Sequence, residues 1–287
     1  MKIVLVNAPP SDVHAQRTGA LLEQAIRDLG HQCIVLPGNE LPGALHFFEK
    51  RKQQQALRNL QPDVVAYCSS KNFLPVKGLR SIVVNDDIQF WSDENITDLK
   101  LLRDDFTGGK EYFFYTGDID AESQWERVLQ AFSQFKKWQQ SGLQLVLGGN
   151  INPSFKNIFQ EKLAAYKYKQ EIIIQQNNQL PAAAFCVLST ASFPDERMDI
   201  VTAFKFGVPV IVHDAAPGKK LCGDSALYAD FKDAKSLSQQ MISVYKNEAM
   251  YNHLSEKGKL AASGYSRQQM LDQISARIVS AMNNEFS

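Results

Sequence analysis

The sequence carries no excess charge of either sign, since its 31 lysines and arginines balance 31 aspartates and glutamates. A neutral chain lacks the basic surface typical of nucleic-acid-binding proteins, so bulk electrostatics point to neither nucleic acid nor an anionic surface. Apolar runs are short as well, and none approaches the roughly 18 residues of a membrane-spanning helix. Residues 1–6 (MKIVLV) lead directly into an apolar strand. This start predicts no signal peptide and favours a cytoplasmic protein.

Paired cysteines are also missing. The four cysteines lie far apart, in or beside apolar segments, which is typical of reduced, buried thiols rather than of zinc ligands. They are Cys33, Cys68, Cys186 and Cys222. The histidines show no ligand spacing, and residues 7–11 (NAPPS), which follow the first strand, lack the G-x-G-x-x-G of a dinucleotide site. We therefore expect no metal and no bound cofactor.

What the chain does contain is a strand–helix rhythm, which is clearest in residues 183–230. An apolar run is followed by a charged loop, residues 193–197, and then by a helix that ends at Gly207. A second apolar, β-branched strand comes next, residues 208–212 (VPVIV). Two strands joined by one helix form a parallel unit. Its ligand side is the carboxyl end of the strands, near the helix N-terminus.

The same rhythm runs through both halves of the chain, whose 287 residues suit two domains of ordinary size. Two glycines follow Thr107 and permit large backbone changes, so we expect a hinge there. The expected domains are residues 1–106 and residues 107–265, the second with a six-stranded parallel sheet. A last helix, residues 266–282, has an apolar residue at every fourth position on one face. These residues are Met270, Ile274, Ile278 and Met282.

Residues 189–226 also follow a family pattern. In family form the pattern is P-S-x-x-E-G-F-G-L-P-x-L-E-A-M-A-x-G-x-P-V-I, with G-D-x-A further on. The residues retained here are Ser189, Ala203, Gly207, Pro209, Val210, Ile211 and the G-D-S-A of residues 223–226. On these residues the chain resembles the donor-binding half of the GT-B glycosyltransferases, specifically the group 1 retaining enzymes of family four.

Three further segments resemble the same family. Residues 22–35 (LEQAIRDLGHQCIV) are similar to its first helix, which ends in G-H-x-V. Residues 61–67 (QPDVVAY) are similar to its P-D-V-V-H strand, and residues 143–150 (LQLVLGGN) to its L-V-L-x-G-x-G strand. The resemblance implies an α/β fold of the GT-B type, with two Rossmann-like β/α/β domains facing a cleft. It also implies that residues 266–287 form a helix crossing back to the amino-terminal domain.

The resemblance implies the activity too: transfer of a glycosyl group from a nucleotide sugar to a glycan or small-molecule acceptor, with retention and without a metal. The donor's base would lie near Gly148 and Gly149, and its phosphates near Gly117 and the helix start after Arg197. The expected donor-binding residues are Gly117, Asp118, Gly148, Gly149, Ser189, Glu196, Arg197, Lys219 and Lys220. The expected acceptor-side residues are His14, Arg17 and Gly19.

The positive charges of the family's donor site are replaced in this chain. An Arg and a Lys grip the donor diphosphate in the family, and Asp118 and Ser123 stand in their places. Cations are needed there because the leaving diphosphate gathers negative charge in the transition state. The cations that would have to compensate are Arg197, Lys219 or Lys220.

The acidic residues of the family motif are replaced as well. Without a gap, its two glutamates fall on Pro194 and Thr202. Glu196 and Arg197 are therefore the catalytic candidates, Glu196 by way of a two-residue insertion. The alternative is that Glu196, at a helix start, only complements the helix dipole.

Two functions consequently stay open. The retained skeleton favours an active transferase. The lost cations and glutamates favour a catalytically lost pseudo-glycosyltransferase, which would act as a scaffold that binds a glycan or a protein partner.

Two smaller alternatives also stay open. Asp118 and Asp120 spell the D-x-D metal motif of the other glycosyltransferase fold, although the same spacing suits a turn that caps the next helix. Lys50, Arg51 and Lys52 lie on a polar helix that suits either weak peripheral membrane contact or a solvated face.

Overall fold

Two parallel sheets form the framework of the protein, one in each of two units. The structure is a computed structural model that describes residues 1–7, 13–37, 46–68, 73–74, 76–83, 96, 98–192 and 194–283. One unit combines Met1–Ser92 with Ser266–Ser287, and the other is Asp93–Tyr265.

The first unit is built on a four-stranded sheet with all neighbours parallel. Its elements, in chain order, are β1 (Lys2–Val6), α1 (Val13–Asp28), β2 (Gln32–Leu36), α2 (His46–Leu60), β3 (Val64–Tyr67) and β4 (Ser81–Val83). The strand order is β2–β1–β3–β4. β1 lies inside the sheet, and its four residues after Lys2 are fully buried. This burial explains why β1 is apolar throughout and does not alternate.

The second unit contains a six-stranded, wholly parallel sheet, as predicted. Its elements are α3 (Leu99–Thr107), β5 (Tyr112–Tyr115), α4 (Trp125–Gln139), β6 (Gln144–Leu147), α5 (Lys156–Ala164), β7 (Ile172–Ile174), α6 (Leu180–Ala183), β8 (Cys186–Ser189), α7 (Pro194–Lys205), β9 (Val210–His213), α8 (Ala216–Cys222), β10 (Leu227–Ala229), α9 (Ala234–Lys246) and α10 (Glu248–Ala262). The strand order is β10–β9–β8–β5–β6–β7. The chain starts at the centre, builds outward through β7, returns to the centre at β8 and builds outward again. β5 and β8 therefore flank the switch point, outside whose carboxyl ends such sheets bind ligands.

Both faces of this sheet are covered, which follows from the sequence of the central strand. The side chains of β5 alternate between two apolar cores, with Phe113 and Tyr115 in one and Tyr112 and Phe114 in the other. The first core is closed mainly by α4 and α9, and the second by α6, α7 and residues of α3. The aromatic run Y-F-F-Y thus fills both layers at once.

The helix α11 (Arg267–Asn283) belongs to the first unit, although the second unit precedes it in the chain. Met270, Ile274 and Ile278 are buried, so the four-residue apolar repeat does form the packing face. At the N-terminal end of the helix, Arg267 Nη2 lies 2.6 Å from Asp28 Oδ2. Near the C-terminal end, Arg277 Nη1 donates to the carbonyl of Val83 over 3.2 Å. These contacts fix α11 to α1 and to the edge strand β4.

The residues expected to form the hinge have another role. Gly108 ends α3 in the left-handed conformation, with φ of 60°, and its N–H donates to the carbonyl of Arg103. The Arg103 side chain in turn donates to Ala183 at the end of α6 over 2.8 Å. The division between the units falls after residue 92, before α3, and not after residue 106. Glycine at 108 therefore serves a helix end inside the second unit.

The start of α7 also differs from expectation. Residues 194–197 were predicted to belong to a loop, but the helix already begins at Pro194. Proline is favourable at the first helical position, and acidic residues are favourable in the first turn. The family's glycine-rich turn falls on residues 195–197, which contain no glycine here.

The four cysteines are free and buried, as the sequence indicates. Burial raises the pKa of the Cys68 and Cys222 thiols to about 12. Both thiols stay protonated near neutral pH, which makes them poor nucleophiles and poor metal ligands. Among the described helices, none is long and apolar enough to span a membrane.

Candidate functional site

The loops after β5 and β6 meet at the carboxyl edge of the six-stranded sheet. A Cβ atom on Gly149 would lie 2.0 Å from the carbonyl oxygen of Gly117, so the two backbones touch where each residue has no side chain. Gly148 rests on the ring of Phe114, where a Cβ would lie 2.1 Å from Cζ. The structure therefore brings the three predicted glycines together, and close packing requires all three.

Asp118 joins these two loops. Its Oδ1 atom accepts hydrogen bonds from the backbone N–H of Asn150 at 2.8 Å and from the Asn150 side-chain amide at 3.2 Å. A parallel bridge between Ile119 and Ile151 continues the contact. The carboxylate that stands where the family has an arginine is thus held by two N–H donors. Its negative charge is partly satisfied inside the protein.

Asp120 closes the turn that leads into α4. Its Oδ1 atom accepts from the N–H groups of Glu122 at 2.8 Å and Ser123 at 2.7 Å, and its carbonyl accepts from Trp125 Nε1 at 3.1 Å. These are the contacts of a helix-capping turn. No cluster of three or more metal-ligating side chains occurs among the residues that the structure describes. The D-x-D spacing is explained by the turn.

The switch point itself is crossed by a pair of hydroxyls. Thr116 Oγ1, after β5, donates to Ser189 Oγ, at the end of β8, over 3.1 Å. Ser189 Oγ also accepts the N–H of Ala191 at 3.0 Å. Ala191 has φ of 54°, in the left-handed region that favours glycine, and it is fully buried. Ser189 therefore holds a strained turn between β8 and α7.

Glu196 holds the same turn from the other side. Its Oε2 atom accepts from the Thr190 hydroxyl at 2.6 Å and from the N–H of Ser192 at 3.0 Å. The residue is buried. A glutamate in the first helical turn that reaches back to a preceding N–H resembles one half of a capping box. These contacts support a structural role for Glu196 at the helix start, which was the alternative to a catalytic role.

Arg197 brings a positive charge to this edge of the sheet. Its Nε donates to the carbonyl of Ala191 at 3.3 Å, and its Nη2 to that of Ser192 at 3.4 Å. Both distances are at the long end for hydrogen bonds. The guanidinium therefore lies along the β8–α7 turn.

The two lysines named from the sequence lie on α8. Gly218 on this helix packs close to the turn, since its Cβ would lie 3.6 Å from Cβ of Ala191. Lys219 forms an ion pair with Asp214, and its ammonium lies 5.9 Å from the centre of the Tyr228 ring. Lys220 follows it and is exposed. The Lys219 charge is therefore matched by the neighbouring Asp214.

The acceptor-side candidates lie in the first unit. The side chains of His14 and Arg17 lie outside the described residues, as does that of Lys50 on α2. Gly19 is buried on α1, and a Cβ there would lie 2.1 Å from Oδ1 of Asn7. Gly19 thus makes room for the side chain that follows β1. Arg51 and Lys52, which follow Lys50, are exposed.

Several polar groups at the carboxyl edge were not predicted from the sequence. They are Tyr115, Thr116, Asn150 and Thr190. Each lies at the end of a parallel strand or within three residues of it, and this position was the available signal.

A profile described as glycosyl transferases group 1 matches residues 103–261, more than half of the chain. A search of curated proteins gave no match.

Solved structures resemble almost the whole chain. HepE from Anabaena, solved with UDP and glucose, has a TM-score of 0.72 at 12% identity over 98% of this chain and 100% of its own. A glycosyltransferase from Rickettsia africae has 0.69 at 12% identity over 99% of each chain. Sucrose-phosphate synthase from Thermosynechococcus elongatus has 0.66 at 10% identity over 96% of this chain and 97% of its own. At such identities the likeness shows the fold, and it confirms the predicted GT-B type.

Proposed function

This chain belongs to the group 1 glycosyltransferases, and we propose that it transfers a glycosyl group from a nucleoside diphosphate sugar to a glycan or small-molecule acceptor. The observation that carries the proposal is the convergence of groups at the switch point of the second unit. The loop after β5, with Gly117, and the loop after β6, with Gly148 and Gly149, meet the β8–α7 turn there. Doubly wound sheets bind nucleotides at such a switch point. HepE, which shares the fold at 12% sequence identity to this chain, was solved in complex with UDP.

The donor's diphosphate would face Arg197 and the N-terminus of α7. Backbone N–H groups at a helix start attract anions, and a guanidinium adds charge-assisted hydrogen bonds. The base would lie beside Gly148 and Gly149, at the carboxyl end of β6. Lys219 and Lys220 supply further positive charge from α8.

The reaction we infer is retaining and needs no metal. Asp118 and Asp120 use their Oδ1 atoms to hold the backbone of the loops at this edge, which supports a structural role for both carboxylates. On the acceptor side we propose His14, Arg17 and Gly19 of the first unit. Buried, protonated thiols suit a reducing compartment, so the proposed location is the cytoplasm.

A second function is favoured by one specific observation. Asp118 and Ser123 stand at the two positions where the family carries cations, and the Glu196 carboxylate is committed to its own turn. A chain with these changes could keep the fold and bind a glycan or a protein partner without transfer. Losing two charge-assisted contacts would weaken donor binding by about two to four powers of ten.

Calorimetry separates the two functions. The full chain is titrated with UDP, UDP-glucose, GDP-mannose and ADP-glucose, and Arg197→Ala is compared with Lys235→Ala, a surface lysine on α9. A micromolar dissociation constant that weakens about ten- to hundredfold in Arg197→Ala alone supports the transferase proposal. No heat with any of the four ligands favours the scaffold.

A further inference from the structure

Tyr115 has a buried hydroxyl group that the site described above does not use. The residue is the last of β5 and is fully buried. Its hydroxyl has no hydrogen-bond partner among the described residues. Tyr112, at the other end of the same strand, is equally buried, but its hydroxyl donates to the carbonyl of Leu180 over 2.7 Å. Since buried polar groups are nearly always paired, the contrast calls for an explanation.

The position of the hydroxyl relates it to the β5–α4 loop, residues 117–124. It lies directly beneath the start of this loop, because a Cβ on Gly117 would be 2.3 Å from it. The backbone N–H of Gln124 faces it from the end of the loop, outside hydrogen-bonding geometry. Both ends of the loop therefore adjoin one phenolic oxygen.

The charge state of this group is settled by its surroundings. Burial raises the pKa of Tyr115 well above its ordinary value, and the nearby Glu196 carboxylate raises it further. The phenol therefore stays neutral, able to donate one hydrogen bond and to accept others.

We propose that Tyr115 is a positioning residue for the donor diphosphate, holding the 117–124 loop from below and pairing with the Gln124 N–H when a ligand tightens that loop. The proposal rests on the proposed function, because it assigns this loop to the diphosphate. Hydrogen bonds at such sites are often long in the empty protein and shorten in the complex. Glycine at 117 lets the backbone rest on the oxygen itself.

The test compares Tyr115→Phe with Tyr112→Phe, the same change on the same strand. Hydrogen–deuterium exchange of residues 117–124 is measured without ligand and with UDP, together with the melting temperature and the UDP dissociation constant. In Tyr115→Phe we expect faster exchange of this loop when UDP is bound, an unchanged or higher melting temperature, and UDP binding weakened about three- to thirtyfold. Tyr112→Phe should instead lower the melting temperature by about 2–4 °C and leave UDP affinity unchanged.

The outcomes separate this inference from the proposed function. If the wild-type chain does not bind UDP, the proposed function fails and this inference fails with it, whereas wild-type binding that Tyr115→Phe leaves unchanged overturns the inference alone. Unchanged exchange of the UDP-bound loop in Tyr115→Phe also overturns it. So does a lower melting temperature with unchanged UDP affinity, because that pair of results describes a purely structural hydroxyl.

Discussion

Thr116 and Ser189 are 73 residues apart in the sequence, yet their hydroxyls form a 3.1 Å hydrogen bond across the switch point of the second sheet. The same Ser189 oxygen accepts the N–H of Ala191, in a turn that no glycine relieves. One small side chain thus joins two strands and the turn that leads to α7.

The first expected outcome concerns this hydroxyl pair. Ser189→Ala leaves the buried N–H of Ala191 without an acceptor, so we expect the free energy of unfolding to fall by about 1–3 kcal/mol. Thr116→Ser keeps the donor and should cost less than about 1 kcal/mol. Urea denaturation measures both variants. Equal losses would mean that packing, and not the hydroxyl, stabilises the turn.

The second concerns Glu196. Removing its carboxylate in Glu196→Ala deprives Thr190 and Ser192 of their acceptor, and we expect a loss of about 2–3 kcal/mol in stability. Glu196→Gln keeps an acceptor oxygen and should lose less. The rate of glycosyl transfer, measured on the same two variants, tests the catalytic role of Glu196. A fully stable Glu196→Gln without turnover would assign Glu196 to the chemistry.

The third concerns the missing cations. Ser123→Lys adds a positive charge where the family has a lysine, and it leaves the contact between Asp118 and Asn150 intact. We expect UDP binding to become about ten- to hundredfold tighter, with the gain shrinking in high salt. Ser123→Met, of similar length but uncharged, is the control. Asp118→Arg should gain less, since it breaks both hydrogen bonds from Asn150. An equal gain with methionine would rule out the electrostatic explanation.

The fourth concerns pH and α11. The hydrogen bond from Arg267 lowers the pKa of Asp28 below its ordinary value of 3.8. A depressed carboxyl pKa stabilises the fold above the ordinary value, and this stabilisation is lost as pH falls through the folded-state pKa. Asp28→Asn should therefore lower the unfolding midpoint at pH 7 and match the wild type near pH 2. Asp272→Asn, on an exposed part of α11, is the control. A wild-type advantage that persists at pH 2 would contradict this account.

Much of the fold could be predicted because its signals are local. Each strand of the second sheet is a short apolar run between turns, and a buried parallel strand needs no more than this. The apolar face of α11 was readable from Met270, Ile274 and Ile278 for the same reason. The start of α7 was missed because a proline and three charges in residues 193–197 are typical of a loop, while Pro194 at the first helical position and acidic residues in the first turn also favour helix.

The site was harder to predict because its contacts join distant parts of the chain. Gly117, Gly148 and Gly149 could be named from their place after strands. The sequence also showed that Asp118 stands where the family has an arginine, but it gave no sign of the hydrogen bonds that Asp118 accepts from Asn150. Such pairs, like Thr116 with Ser189, produce no periodic pattern in the sequence. They can be identified only once the register of the sheet is known.

The return of α11 to the first unit has a consequence for the order of folding during synthesis. The second unit is one unbroken stretch, Asp93–Tyr265, and has all its parts before α11 is made. The first sheet begins the chain but must wait for the helix that covers β4. We expect a chain ended at residue 265 to be cut by protease in its first 92 residues and spared in the rest. The part of the protein made first is therefore the last to be completed.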